Sequence, residues 1–489
     1  MSSTFILGAP GTGKTRALIQ RAVSYLQAGH NPESLLILAP TRQGATRMRN
    51  AIARASDRSL SQAPTRAWAA YAFDVLRRAF VLGLLPGVQA PPKLLSGPEQ
   101  DTMIAEMLAN HRAGFGTRVH WPEDLNQALD TRGFRHELRD FFDRMAEYNL
   151  SADQVRQLGR EYGHPEWVAV ADFYTEYSQV RALRAPNAFD PSALIHRACN
   201  FLLTHPDFLA QERERFRLIL IDDAQDMSPA TYRLLGVLTG SFDYLNARSI
   251  VPASFEEKAR DQLAAACAHM PSVVIAGCSE NTLQGFRGAR PEMMSLFSSL
   301  YPNLTQEHLN ASYRMAEPVA QVWEQLVRRL PVVPRAATVR QLQPAGVREE
   351  QQSLLAVNEL GDILDSTAVG ESELGVQAHL LASAQDEANQ IAQMLLEDYL
   401  YRGRMYRESA IIVRNSSEVA RLRRVLASAG IPTVTASSLT PLRDEPAVRP
   451  FLDALALLIY TREQSAQWLY SKNLFYSFTS ENLIYCSTF

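Results

Sequence analysis

Near the N-terminus stands Gly8-Ala9-Pro10-Gly11-Thr12-Gly13-Lys14-Thr15, a glycine-rich octet that ends in Lys-Thr. This spacing suits phosphate binding. Glycines at 8, 11 and 13, with Thr12 in the same turn, let successive backbone N–H groups close on phosphate oxygens, and a following helix adds its positive dipole end. Lys14 is placed to reach the β- and γ-phosphates of a nucleotide, and the Thr15 hydroxyl to ligate Mg²⁺. Far along the chain, Asp222-Asp223-Ala224-Gln225-Asp226 follow an apolar run without a break. Asp222 is the carboxylate to hold Mg²⁺ through water, and Asp223 is placed to orient or deprotonate an attacking water.

The elements that must position these groups are legible around them. The octet follows the apolar run Thr4-Phe5-Ile6-Leu7 and leads into residues 16–23, whose apolar positions recur at helical spacing. Further buried strands are expected at 35–38, 216–221 and 273–276, the last ending in Gly277-Cys278-Ser279-Glu280-Asn281. Strands followed by helices, with each chemical group at a strand's carboxyl end, predict a doubly wound parallel sheet whose motifs share one crevice. Residues 68–215 read as mostly helical, with helices at 68–80, 98–111, 135–149, 152–162, 165–184 and 192–203, an insertion between two strands of that sheet.

A second α/β unit is expected beyond a proline-bearing polar passage at 331–376. Its strands would lie at 378–383 and 409–414. Its helices would lie at 386–402, at 417–429 before Gly430, and at 446–460. From Lys472 onward the chain contains no Ala, Arg, Gly or Pro. That tail reads either as an aromatic strand and loop or as a segment foreign to the fold, of the kind a frame change or premature end leaves.

The composition of the 489 residues is that of a water-soluble protein, with 46% hydrophobic and 21% charged residues. A net charge of −3 supplies no global basic field, so contacts with nucleic acid would rest on local patches or base stacking. The four cysteines, Cys199, Cys267, Cys278 and Cys486, lack metal-ligand spacing and read as free thiols of a reducing compartment. With neither an apolar run long enough to span a membrane nor a basic leader, a cytoplasmic location is expected.

The order and spacing of motifs resemble the superfamily 1 DNA helicases of the UvrD/Rep type over residues 4–460. Residues 38–48 look like that family's first DNA-contacting motif, with Thr41 and Arg42 at its centre. Asp222-Asp223-Ala224-Gln225-Asp226 looks like its DExQD box, Gly285-Phe286-Arg287-Gly288-Ala289 like its GFRGA, and Ser312-Tyr313-Arg314 like its NYR. The resemblance implies an α/β fold with a RecA-like parallel-sheet P-loop NTPase domain at 1–80 and 212–330. It also implies a helical insertion at 81–211, an inter-domain passage at 331–376, a partial second RecA-like domain at 377–460 and an atypical tail at 461–489.

The same resemblance assigns roles. Arg16 and Tyr313 would sandwich the adenine of ATP, Arg314 and Asn281 would face the γ-phosphate, and Gln225 would couple nucleotide to DNA. Phe286, beside Arg287, would offer a face to a base of single-stranded DNA. The arginine-rich composition, four lysines against 45 arginines, and the GAPGTGKT and DDAQD variants resemble the AdnA subunit of actinobacterial AdnAB helicase-nucleases. That likeness implies DNA repair and recombination and an AdnB-like second subunit, while the UvrD/Rep resemblance implies 3′–5′ movement.

Departures from the family pattern are concentrated at the chemistry. The catalytic glutamate is Asp223, one methylene shorter. The acidic residue after the third-motif glycine is Cys278, its glutamine is Asn281, and the aromatic before GFRGA is Gln284. An adenine-reading glutamine motif upstream of Gly8 and the late KGLE and LLYVALTRA motifs, the last carrying an arginine finger, are not found in residues 1–489. The expectation is therefore a motor that is weak or inactive alone, with a non-catalytic nucleotide-binding subunit as the alternative.

Overall fold

The computed structural model describes residues 3–56, 64–116, 119–190, 193–240, 271–301, 303–330, 343–344, 376–434 and 451. The chain divides into two compact units, Met1–Val376 and Gln377–Phe489. In the first, the order begins β1 (Thr4–Gly8), α1 (Lys14–Gln27), β2 (Leu35–Ala39), α2 (Arg42–Ala55), β3 (Thr65–Ala67) and α3 (Trp68–Val81). A helical stretch follows: β4 (Lys93–Leu94), α4 (Gly97–Arg112), α5 (Arg132–Glu147), α6 (Ala152–Glu161), α7 (Pro165–Arg184), β5 (Ala188–Phe189), α8 (Ala193–Thr204) and α9 (Pro206–Arg215). The sheet then resumes with β6 (Leu218–Ile221), α10 (Pro229–Thr239), β7 (Ser272–Gly277) and β8 (Thr305–Leu309).

Six strands form one sheet in the order β3-β2-β6-β7-β1-β8, and every pairing is parallel. Apolar side chains on both faces dictate this. Phe5, Leu7, Leu36, Leu38, Ile219 and Ile221 join a core with α3, α8 and α10. The alternate residues Ile6, Leu35, Ile37, Leu218 and Leu220 join a second core with Leu18 of α1 and Met48 and Ile52 of α2. Each such side chain contributes about 1.5–3 kcal/mol on burial, which fixes the register. The paired registers Gly8↔Leu309, Leu7↔Gly277, Ile221↔Ile275 and Leu38↔Ile221 bring the strands' carboxyl ends to one edge.

Between β3 and β6, α4 to α7 build a core of their own from Met103, Ile104, Leu138, Phe142, Phe173 and Tyr177. Ser96 with Glu99 and Ser151 with Gln154 close reciprocal caps at the starts of α4 and α6, which explains why those boundaries read cleanly from sequence. Two strands of the six-stranded sheet escape a periodicity reading. β3 is three residues long, and β8 is a polar edge strand whose Glu307 accepts from Arg21 at 2.5 Å.

In the second unit, the helices Ala384–Arg402 and Ser416–Ser428 pack through Ala392, Leu426 and Ile431. The strands expected at 378–383 and 409–414 do not form. Neither stretch has a ladder partner among the described residues, and Leu380 and Ile412 are 101% and 94% exposed. Their short apolar runs, Leu380-Leu381 and Ala410 to Val413, supply local propensity, whereas a strand exists only by pairing. The passage at 331–376, apart from 343–344 and 376, the helix expected at 446–460, apart from 451, and the 472–489 tail lie outside the described residues.

Candidate functional site

β1 delivers the chain to the glycine-rich octet at the common edge. Gly11 has φ +81°, and a β-carbon there would lie 2.6 Å from Ser312 Oγ and 2.7 Å from Arg314 Cβ. Backbone conformation and crowding therefore both exclude a side chain. The loop is also tied to the segment after β8: Ser312 Oγ donates to Pro10 O at 3.1 Å, and the Tyr313 N–H donates to Gly11 O at 3.0 Å. Gly13 precedes α1 with no side-chain cap, and no acidic residue follows in the first turn. The positive end of the α1 dipole is thus left uncompensated beside the loop.

Lys14 is buried and folds back on the loop, its Nζ donating to Gly8 O at 2.8 Å and Ala9 O at 2.9 Å. Burial pulls its ammonium below the usual lysine range, and Arg314 acts in the same direction, while Cys278, Asp223 and Asp222 oppose both. Thr15 Oγ1 donates to Asp222 Oδ2 at 2.9 Å. Asp222 is 5% exposed, and burial, reinforced by the charge of Asp223, pushes its carboxyl up to about 6. Thr15 and Asp222 thus place two hard oxygen donors side by side. Among the described residues, no group of three or more His, Cys, Asp or Glu converges as a metal site on its own.

Asp223 adopts the left-handed region at φ +49°, unusual for a residue with a side chain. Its Oδ1 accepts from Gln225 Nε2 at 3.0 Å, and Gln225 Oε1 accepts from the Cys278 N–H at 2.9 Å, which links the ends of β6 and β7. The Cys278 thiol is buried, directed to Glu280 Oε2 at 3.6 Å, and pushed up to about 11 by burial. Asp226 Oδ1 accepts from the N–H groups of Leu283 at 2.7 Å and Gln284 at 3.0 Å.

These groups surround a cavity of about 1160 Å³. Thr12, Gly13, Lys14, Thr15 and Arg16 line it from one side, Asp222, Asp223 and Gln225 from another, and Asn281, Tyr313 and Arg314 from the last. Cationic side chains, uncapped helix amides and paired oxygen donors in one cleft are the equipment for a polyanion bridged by a divalent cation.

Residues 1–302 match the UvrD/REP helicase N-terminal domain, more than half of the chain. The chain belongs to the UvrD/REP helicase family. Among curated relatives it is 22% identical over 435 residues to the ATP-dependent DNA helicase UvrD1 of Mycobacterium tuberculosis, covering 88% of this chain and 47% of that protein. It is 22% identical over 315 residues to DNA helicase II of Escherichia coli, covering 64% and 36%. It is also 22% identical over 317 residues to the ATP-dependent DNA helicase PcrA of Leuconostoc citreum, covering 64% and 35%. The chain spans about half or less of the length of these relatives.

In this UvrD/REP chain the residues singled out from sequence separate into two places. Gly11 and the other cavity residues from Thr12 to Arg314 meet in one cleft, with Gly8 behind it accepting from Lys14. Thr41, Arg42, Gly285 and Arg287 lie outside the cavity lining. Thr41 Oγ1 accepts from the Gly44 N–H at 3.0 Å and caps α2, while Arg42 is exposed. Gln20 and Arg47 line the cleft and were not foreseen. Gln20 lies one turn beyond Arg16 on α1, a spacing that places both on one helix face. Arg47 arrives through the packing of α2 on α1, for which the sequence carries no local signal.

Proposed function

We propose that this chain is an ATP- and Mg²⁺-dependent motor polypeptide of a DNA helicase that acts on single-stranded DNA. The supporting observation is the convergence on one cleft of Lys14, Thr15, Asp222, Asp223, Tyr313 and Arg314, from separate stretches of chain. In this reading Lys14 leaves the Gly8 and Ala9 carbonyls for the β- and γ-phosphates, and Arg314 neutralises the γ-phosphate. Thr15 and Asp222 hold Mg²⁺. Asp223 orients water, Gln225 reports the outcome toward β7, Asn281 faces the γ-phosphate, and Arg16 and Tyr313 enclose the base. Tyr313, 54% exposed on the cleft wall, suits that last task. Thr41, Arg42, Phe286 and Arg287 would contact single-stranded DNA.

The finer reading is of a cytoplasmic, 3′–5′ helicase-nuclease subunit in DNA repair and recombination, with an AdnB-like partner and the domain division given above. The relatives named as DNA helicases support the helicase part of it. Among the described residues no helix is long and apolar enough to cross a membrane. Turnover by residues 1–489 alone is expected to be weak, since no segment in them matches the late motif that carries the arginine finger. ATP turnover with and without single-stranded DNA tests the proposal. Stimulation by DNA supports a motor, and turnover indifferent to DNA contradicts it.

A second reading, a nucleotide-holding subunit that does not hydrolyse, is favoured by one observation. Asp223 is a methylene short, and one of its carboxylate oxygens is already engaged by Gln225 at 3.0 Å, so less of it is free to orient an incoming water. Bound nucleotide without turnover would select this reading.

A further inference from the structure

The turn that follows β7 is fastened at three points. At its start, Asp226, which also lines the cleft, accepts the N–H groups of Leu283 and Gln284. At its exit, the Arg290 N–H donates to Met227 O at 3.0 Å, so both ends of the turn are held by neighbours in the segment after β6. The third point belongs to another layer. Arg290 Nε donates to Tyr148 Oη at 2.9 Å, Nη2 donates to the same oxygen, and the guanidinium lies 5.7 Å from the Tyr148 ring centre. Tyr148 is the residue that ends α5, in the layer of α4 to α7.

Two more contacts make this junction specific. Gly288 has φ +87°, and a side chain there would run into the Arg144 guanidinium of α5. α5 also packs against α10, and Glu147 on its last turn lies near Ser228 and Ala230 at the start of that helix. One short stretch, 144–148, therefore meets both the 283–290 turn and the helix that follows Asp226. The junction connects the cleft to the helical layer through contiguous hydrogen bonds.

We infer that the C-terminal end of α5 is a coupling element, in which Tyr148 is a positioning residue that ties the 283–290 turn to the α4–α7 layer. A displacement of Asp226 and Met227 at the cleft is then passed to that layer through Arg290 and Tyr148. The inference rests on the proposed nucleotide site. Coupling of this kind needs an element that responds at both ends, which is measurable.

Hydrogen–deuterium exchange on the full chain, with and without Mg²⁺ and the slowly hydrolysed analogue AMP-PNP, tests it. In the unmodified chain AMP-PNP is expected to slow exchange both at 283–290 and at 144–149. Tyr148→Phe keeps the ring and removes the acceptor oxygen, and Arg290→Lys keeps the charge and removes the fork. Each is expected to bind AMP-PNP with unchanged affinity and to lose the protection at 144–149. Protection at 144–149 that survives in either variant overturns the inference, as does its absence in the unmodified chain while 283–290 is protected. Failure of the unmodified chain to bind AMP-PNP overturns the functional reading, and the inference with it.

Discussion

Thr15 and Asp222 are 207 residues apart in sequence and 2.9 Å apart in the fold, the hydroxyl of one donating to the carboxylate of the other. That contact joins the start of α1 to the end of β6. It exists because β1 and β6 run parallel, with β7 between them. The buried Asp222 carboxyl, pushed up to about 6, is an electrostatic cost retained in the fold without a metal, and a bound divalent cation would relieve it.

Asp222→Asn should therefore stabilise the nucleotide-free protein while weakening its response to Mg²⁺. The folded-state value of Asp222 is raised above its unfolded value, so the ionised group destabilises the fold fully above about pH 6, and the cost disappears as pH falls toward 4. Near pH 8 the variant should be more stable by about 1–3 kcal/mol, since a tenfold change in a proton-binding constant corresponds to about 1.4 kcal/mol. Thermal melts from pH 8 to pH 4 check this: the gap should shrink steadily below about pH 6 and close only near pH 4. A gap that does not depend on pH would point to packing instead.

Gly11→Ala should disable the cleft without unfolding the sheet. The new methyl meets Ser312 and Arg314 at 2.6 and 2.7 Å and forces a left-handed alanine. A loss of nucleotide affinity of tenfold or more, with a circular dichroism spectrum unchanged from the parent, is expected. Parental affinity would mean that the Ser312–Arg314 segment moves freely of the loop.

Asp223→Glu should raise turnover. The longer side chain can reach past Gln225 Nε2, which now holds the shorter one, and a correction of about 1 Å in placing a reacting group is worth about 100-fold in rate. Steady-state phosphate release in the presence of single-stranded DNA measures it. An unchanged rate would locate the limiting defect elsewhere, with Cys278 and Asn281 next in line.

Phe286→Ala should weaken single-stranded DNA binding by about 1–3 kcal/mol, the worth of one stacked base, and leave nucleotide affinity unchanged. Fluorescence anisotropy with a labelled oligonucleotide reports the first quantity and a fluorescent ATP analogue the second. The opposite pattern would assign Phe286 to the folding of its turn.

Much of the cleft was legible because its parts are contiguous. The octet Gly8–Thr15 and the acidic box after β6 each carry chemistry at fixed spacing, and the parallel sheet that unites them follows from apolar runs buried on both faces. What escaped has physical causes. β8 is an edge strand with polar residues, so no apolar pattern announces it. Arg47 reaches the cleft only because α2 packs on α1, and Tyr148 meets Arg290 only because α5 ends beside the turn. At 378–383 and 409–414 the error ran the other way, since an apolar run is local and pairing is not.

The central claim is that the cleft around Lys14 binds a nucleoside triphosphate. Titration of a fluorescent ATP analogue, with Mg²⁺, into the chain and into Lys14→Ala tests it most directly. Charge-assisted hydrogen bonds contribute about 1.5–3 kcal/mol each, so Lys14→Ala should bind roughly 10- to 100-fold more weakly. Equal affinity in the two proteins, or no binding by the unmodified chain, would contradict the account.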